Sequence, residues 1–179
     1  MAMAAGVDCA SAGNTTLIRG IRSMVDSGKL IKRIQEMRDE GYLSDAILRE
    51  SVRQLKAGDV DYNFVGVYLL NPDEQVLWLH NYMGDGTEHA RIDVGQGVCG
   101  TAVAEKKNQN IGDVTKIDNY LACSPKTKSE MVVLIRAGDE IFGQIDIDAR
   151  SRDAFARDDQ EAVELIADKL SEVFMAERR

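Results

Sequence analysis

The sequence predicts an α+β fold: a mostly antiparallel β-sheet flanked by N-terminal and C-terminal helices. Three observations carry that prediction. Apolar residues recur at helical spacing near both ends of the chain. Between them lie β-rich runs joined by short turn signals, Asn71-Pro72-Asp73 and Gly138-Asp139 among them. No strand, long helix and second strand follow one another as a parallel sheet requires, so strands and helices segregate. With 179 residues and no low-complexity tract, the chain is long enough to bury one real core, with an appendage to spare.

In chain order, residues 1–13 are small and polar and are expected to form a disordered tail. Residues 14–58 read as N-terminal helices. Asn14, Thr15 and Thr16 offer a cap, and Leu17, Ile18, Ile21, Met24 and Val25 repeat at helical spacing. Gly28 interrupts; Leu30, Ile31, Ile34 and Met37 resume the stripe until Gly41. Ser44 then caps a helix with Ile47, Leu48, Val52 and Leu55 inside and Gly58 as its stop. So much apolar stripe ahead of the sheet packs either onto its own domain or onto a second copy, and a homodimer is the expectation. Residues 59–179 make the globular domain. Strands are expected at 63–70, 75–82, 89–94, 110–114, 130–136 and 141–147, and a short helix at 101–106. Trp78 and Tyr82 alternate on the second strand as core residues. Asp158 caps a last helix whose Ala162, Val163, Leu165, Ile166, Leu170 and Phe174 form a buried stripe.

Charge narrows the partners. The net charge is −8, and residues 59–179 carry 13 basic against 23 acidic side chains. A surface of that sign predicts no nucleic acid and no anionic membrane as partner. The longest apolar run, residues 64–70, is far too short to span a bilayer. The first residues lack the basic start and long apolar stretch of a secretory signal. Three widely spaced cysteines, an odd number, make no secreted disulfide framework. A cytoplasmic location, where any disulfide is transient, is the expectation.

Several short motifs carry possible chemistry. Residues 95–100, Gly-Gln-Gly-Val-Cys-Gly, match the dinucleotide fingerprint, but a short charged strand precedes them and a helix of about two turns follows. The glycines serve better as a sharp bend that points backbone N–H groups at a pocket. His80 and His89 are the only histidines and no metal-ligand spacing surrounds them, so neither a metal nor another cofactor is expected. Cys123 stands in a polar loop near Lys126 and Lys128, which favour a thiolate; a half-buried cysteine without function fits the same pattern. Cys99, beside a helix start, suits a lowered pKa or simple packing, and Cys9 falls in the tail. Asp146 and Asp148 alternate with Ile145 and Ile147, which puts both carboxylates on one sheet face. Glu130 begins the neighbouring strand. Three acids gathered there repel one another unless a cation sits among them, either Arg91 or the ammonium group of a ligand.

The motifs around Cys99 and Cys123, with Lys128-Ser129-Glu130 and the residues 143–148, resemble the second half of a GAF domain. Within that superfamily the pattern is similar to the free methionine-(R)-sulfoxide reductases. The resemblance covers residues 62–174 and implies a GAF-like fold with a pocket for a small polar ligand, an amino acid derivative among the candidates. It implies Cys123 as nucleophile, Cys99 as a resolving thiol, Glu130, Asp146 and Asp148 as a substrate clamp, and Phe64 and Tyr68 as further ligand contacts. The chain departs from the pattern at three places. His89 stands where the family carries a further cysteine, Phe64 replaces a tryptophan and Ser124 replaces an aspartate. These changes touch the thiol chemistry and leave the scaffold alone. The first reading is therefore a stand-alone GAF domain acting as a regulatory or redox-responsive signalling module, and the second is the reductase.

Overall fold

The protein's structure, a computed structural model, describes residues 25–59 and 61–178. The expected tail, the cap at residues 14–16 and Cys9 lie outside the described residues. Two helices come first, α1 (Ser27–Asp39) and α2 (Ser44–Gly58). Asp26 starts α1 because its carboxylate accepts the Lys29 N–H at 2.9 Å, so Gly28 falls inside the first turn instead of breaking the helix. Ser44 is the first residue of α2 and not its cap. Its hydroxyl and N–H are both turned to the Glu177 carboxylate near the far end of the chain.

The sheet follows: β1 (Tyr62–Asn71), β2 (Val76–Gly84), β3 (Arg91–Asp93), then α3 (Gly97–Glu105), β4 (Gln109–Ile111), a 3-10 turn (Val114–Lys116), β5 (Ser129–Ala137) and β6 (Glu140–Ala149). The last helix, α4, runs Arg157–Glu177. The six strands stand in the order β3-β2-β1-β6-β5-β4, and every pairing is antiparallel. The short helix begins four residues earlier than expected, with the glycine bend inside its first turn. Helix α4 begins before Asp158; the carboxylate that closes its start is Asp159, which accepts the Ala156 N–H at 2.8 Å.

Each face of the sheet carries its own core. On one face α1, α2 and α4 pack over Val65, Val67, Met131, Val133, Ile145 and Ile147. Helices α1 and α2 thus share one core with the sheet, which takes up the stripe over residues 30–55; residues 17–24 lie outside the described residues. On α4 the stripe runs through Ala162, Val163, Ile166, Ala167, Leu170 and Val173, whereas Leu165 faces solvent. On the other face α3 and the loops pack over Phe64, Tyr68, Leu77, Val132 and Leu134. Trp78 and Tyr82 are not core residues: both are over 40 % exposed, at 46 % and 43 %. The Arg91 guanidinium lies 6.0 Å from the Trp78 ring, and Tyr82 stacks on Phe64.

Candidate functional site

Register places the three acids. Across β1, β6 and β5, one row of directly opposed residues is Phe64, Asp148 and Glu130; the next is Gly66, Asp146 and Val132; the third is Tyr68, Gln144 and Leu134. Opposed residues in antiparallel pairs share a face and sit about 5 Å apart at Cβ. All of Glu130, Asp146 and Asp148 are buried on the α3 side of the sheet. Gly66 leaves room beside Asp146 into which the Phe64 ring leans; a Cβ there would meet that ring at 2.7 Å. The ring also stacks on Tyr82, 5.5 Å between centroids.

Helix α3 forms the wall above this floor. Gly97 holds φ +62, and a Cβ on it would lie 2.8 Å from Cβ of Leu121, so glycine lets the loop close against the helix start. Gly100 lies so near the Asp93 carbonyl that a Cβ would meet it at 2.4 Å. Between these glycines Cys99 is turned into the protein, its thiol directed to Oε1 of Glu130 at 3.8 Å. Sγ of Cys99 and one oxygen each of Glu130 and Asp146 all lie within 4.8 Å of one another.

The loop from 117 to 128 is the roof. Thr127 ties it down, accepting from Asn63 Nδ2 at 3.0 Å and donating to Asp148 Oδ2 at 3.2 Å. Ser124 donates to Asp85 at 3.3 Å, and Nε2 of His89 lies 3.2 Å from the Ala122 carbonyl. Tyr68 reaches the same corner, donating to the His89 carbonyl at 3.0 Å. Cys123 lies here, with the Thr87 side chain close enough to lower its thiol a little. Cys99, Cys123, Glu130, Leu121 and Ile92 line one cavity of about 10 Å³, room for a single water at most. A cavity of that size does not hold an amino acid derivative. The larger cavity of about 610 Å³, between Val103, Lys106, Phe142 and Arg178, contains neither thiol nor any of the three acids. Size and chemistry therefore point to different places, and the chemistry decides.

No cationic side chain among the described residues neutralises the acids. Arg91 pairs with Asp93 at 2.9 Å on the surface, and Lys126 pairs with Asp85 at 3.5 Å. Asp148 keeps its bond from Thr127, but its other oxygen has no partner. Cys99 lies close enough to Asp146 to lower its carboxyl a little, yet its single proton is given to Glu130. Both Asp146 oxygens are left without a hydrogen bond. Burial consequently raises all three carboxyls, Asp146 to about 7, and Glu130 and Asp148 well above the usual carboxylate range, where Asp146 adds its repulsion. Both thiols follow. Burial pushes Cys99 and Cys123 up, and Asp146 is the next cause in each. Burial, and after it Asp146, thus oppose the thiolate that Lys126 and the helix start would favour, and Lys126 is paired with Asp85.

Some participants left no mark in the sequence. Asn63, Thr87 and Thr127 come from a strand start and two loops, and only the closed roof brings them together. The Tyr120 hydroxyl is buried in the field of all three acids and Cys123 and has no hydrogen-bond partner.

This arrangement of helix, six-stranded antiparallel sheet and roofing loop matches a known family over residues 43–173, whose description is GAF domain. The chain belongs to the GAF domain family. Among similar proteins, this GAF domain is 36 % identical over 113 residues to the free methionine-R-sulfoxide reductase of Escherichia coli, spanning 63 % of this chain and 67 % of that protein. It is 38 % identical over 110 residues to the yeast (Saccharomyces cerevisiae) protein of the same name, spanning 60 % of this chain and 61 % of that one. Among solved structures, the Neisseria meningitidis free methionine-R-sulfoxide reductase in complex with its substrate superposes with TM-score 0.77 at 27 % identity. That match covers 85 % of this chain and 90 % of the other. No helix of the described residues is long and apolar enough to cross a membrane.

Proposed function

We propose that this GAF domain reduces free methionine-(R)-sulfoxide, and that the second of the two sequence readings outranks the regulatory one. One observation supports this most: two thiols and Glu130 line one cavity, with the buried Asp146 and Asp148 on the neighbouring strand and no cationic side chain among the described residues to neutralise the three acids. Such a cluster favours a ligand with an ammonium group, and a free amino acid carries one. The similarity to the E. coli and yeast reductases points the same way.

In this reading the ligand's ammonium sits among Glu130, Asp146 and Asp148, with Phe64 and Tyr68 beside it. Cys123 attacks the sulfoxide sulfur, and the buried Tyr120 hydroxyl, which has no other partner, donates to the sulfoxide oxygen. Cys99 then closes a disulfide with Cys123. The two thiols give up two electrons and two protons, the substrate sulfur becomes a thioether, and its oxygen leaves as water. A dithiol reductant restores the pair, which suits a reducing compartment such as the cytoplasm. Binding also activates the nucleophile. An ammonium group beside Asp146 and Asp148 offsets the charges that hold the Cys123 thiol up.

The test is turnover of free methionine-(R)-sulfoxide with a thioredoxin-type reductant. Cys123→Ser is expected to abolish turnover. Cys99→Ser is expected to release one methionine per protein and then stop. An inactive wild type, or unchanged turnover in Cys123→Ser, overturns the reading. The closed cavity favours one other reading, a sensor whose roof moves on binding; ligand-induced stabilisation without turnover is its signature. Pairing with a second copy belongs to this proposal too, through the outer helix surface where Leu43 and Met175 are exposed. A monomer by sedimentation at micromolar concentration removes that part.

A further inference from the structure

We propose that Cys99, Glu130 and Asp146 form a binding site for one Zn²⁺ ion. The donors come from three separate elements: the first turn of α3, the start of β5 and the middle of β6. That is why no ligand spacing is visible along the chain. The three donor atoms lie within 4.8 Å of one another, and Sγ of Cys99 is 3.8 Å from Oε1 of Glu130. Two such ligands on a tetrahedral zinc, with bonds of about 2.3 Å to sulfur and about 2.0 Å to oxygen, stand roughly 3.5 Å apart. The donors draw in by up to about 1.3 Å to complete the site.

The independent sign of a missing partner is Asp146. Its side chain is wholly buried, and neither oxygen accepts a hydrogen bond from any described residue. An organic ammonium would satisfy the oxygens and leave Cys99 free as the resolving thiol, but it would not take the sulfur as a ligand. A metal uses it. One thiol and two carboxylates suit zinc, whereas calcium and magnesium need six or more oxygen donors that this pocket does not offer. On binding, the Cys99 proton passes to solvent and sulfur coordinates as thiolate, neutralising part of the charge together with the carboxylates. The fourth position opens on the cavity beside Leu121 and Cys123. A bound ion would occupy the place proposed for the substrate's ammonium, so metal and substrate exclude one another.

The experiment is titration of the reduced, chelator-treated full chain with Co²⁺, followed by displacement with Zn²⁺. The expected result is a thiolate-to-cobalt charge-transfer band that saturates at one equivalent and vanishes when zinc is added. Cys99→Ser abolishes the band, while Cys9→Ser and Cys123→Ser keep it. Should Cys99→Ser fail to fold, Asp146→Asn and Glu130→Gln retain the thiol, and each is expected to weaken binding at least tenfold. The proposal is overturned by a wild type without the band, by a band that survives in Cys99→Ser, or by carboxamide variants that bind as tightly as the wild type. None of these readouts uses catalysis, so failure of the metal site and failure of the reductase are separate results.

Discussion

Strand β6 faces two environments, and the contrast explains most of the molecule. Ile145 and Ile147 point to the helix side, where α1, α2 and α4 bury them in an apolar core. Gln144, Asp146 and Asp148 point the other way, equally buried, yet five of their side-chain oxygen and nitrogen atoms have no hydrogen-bond partner. One face gains stability from burial. The other gives stability up to keep charges ready, as functional sites commonly do.

The comparison breaks most severely if an acid is moved to the stable face. Ile145→Asp puts an unpaired carboxyl under the helices and is expected to cost more than about 4 kcal/mol, leaving little folded protein in a thermal melt. The reverse change sharpens it. Asp146→Asn removes a charge that the apo fold opposes, so the chelator-treated variant is expected to melt about 5 °C higher than wild type at pH 8, from a gain on the order of 2 kcal/mol, with the gap narrowing as pH falls and closing below the unfolded carboxyl's 3.8. The sign follows from linkage. A carboxyl raised from 3.8 to about 7 holds more protons in the folded state. Stability is therefore fully present below the unfolded pKa and falls as pH rises through the folded one. Wild-type apoprotein should accordingly lose a few kcal/mol between pH 4 and about pH 8, a trend a urea-melt series would reveal or refute. A smaller effect is expected from Gly97→Ala, which forces a side chain into φ +62 and against Leu121. It should cost about 1–2 kcal/mol and raise proteolysis of the 117–128 loop above that of the sheet. His89→Ala removes only the contact to the Ala122 carbonyl, and about 0.5 kcal/mol or less in a denaturant titration is expected.

Period was the legible signal. Alternation along residues 145–148 put the two aspartates on one face before any register was known, and the stripe in residues 30–37 survives as the buried side of α1. Helix starts were harder to read. Ser44 and Asp158 have the composition of caps, but Ser44 is recruited by Glu177 and Asp159 closes α4 in place of its neighbour. Trp78 reads as core because alternation reveals a face without saying how deeply that face is covered. The thiols were misread for a deeper reason. Sequence shows Lys126 near Cys123, whereas the thiol is raised by burial first and then by Asp146 and Asp148, from a strand some twenty residues away. Electrostatics of a site depends on distances that only folding sets.

Both borders of the six-stranded sheet are three-residue strands, β3 and β4. Strand β3 carries Arg91 and Asp93 facing outward, one charge of each sign. A border this short and this charged gives another polypeptide almost no backbone to pair with. Fibril-like stacking of whole domains, sheet end against sheet end, is thus discouraged by the architecture itself. The long, apolar strands that would be hazardous at a border, β1 and β6, are neighbours at the centre.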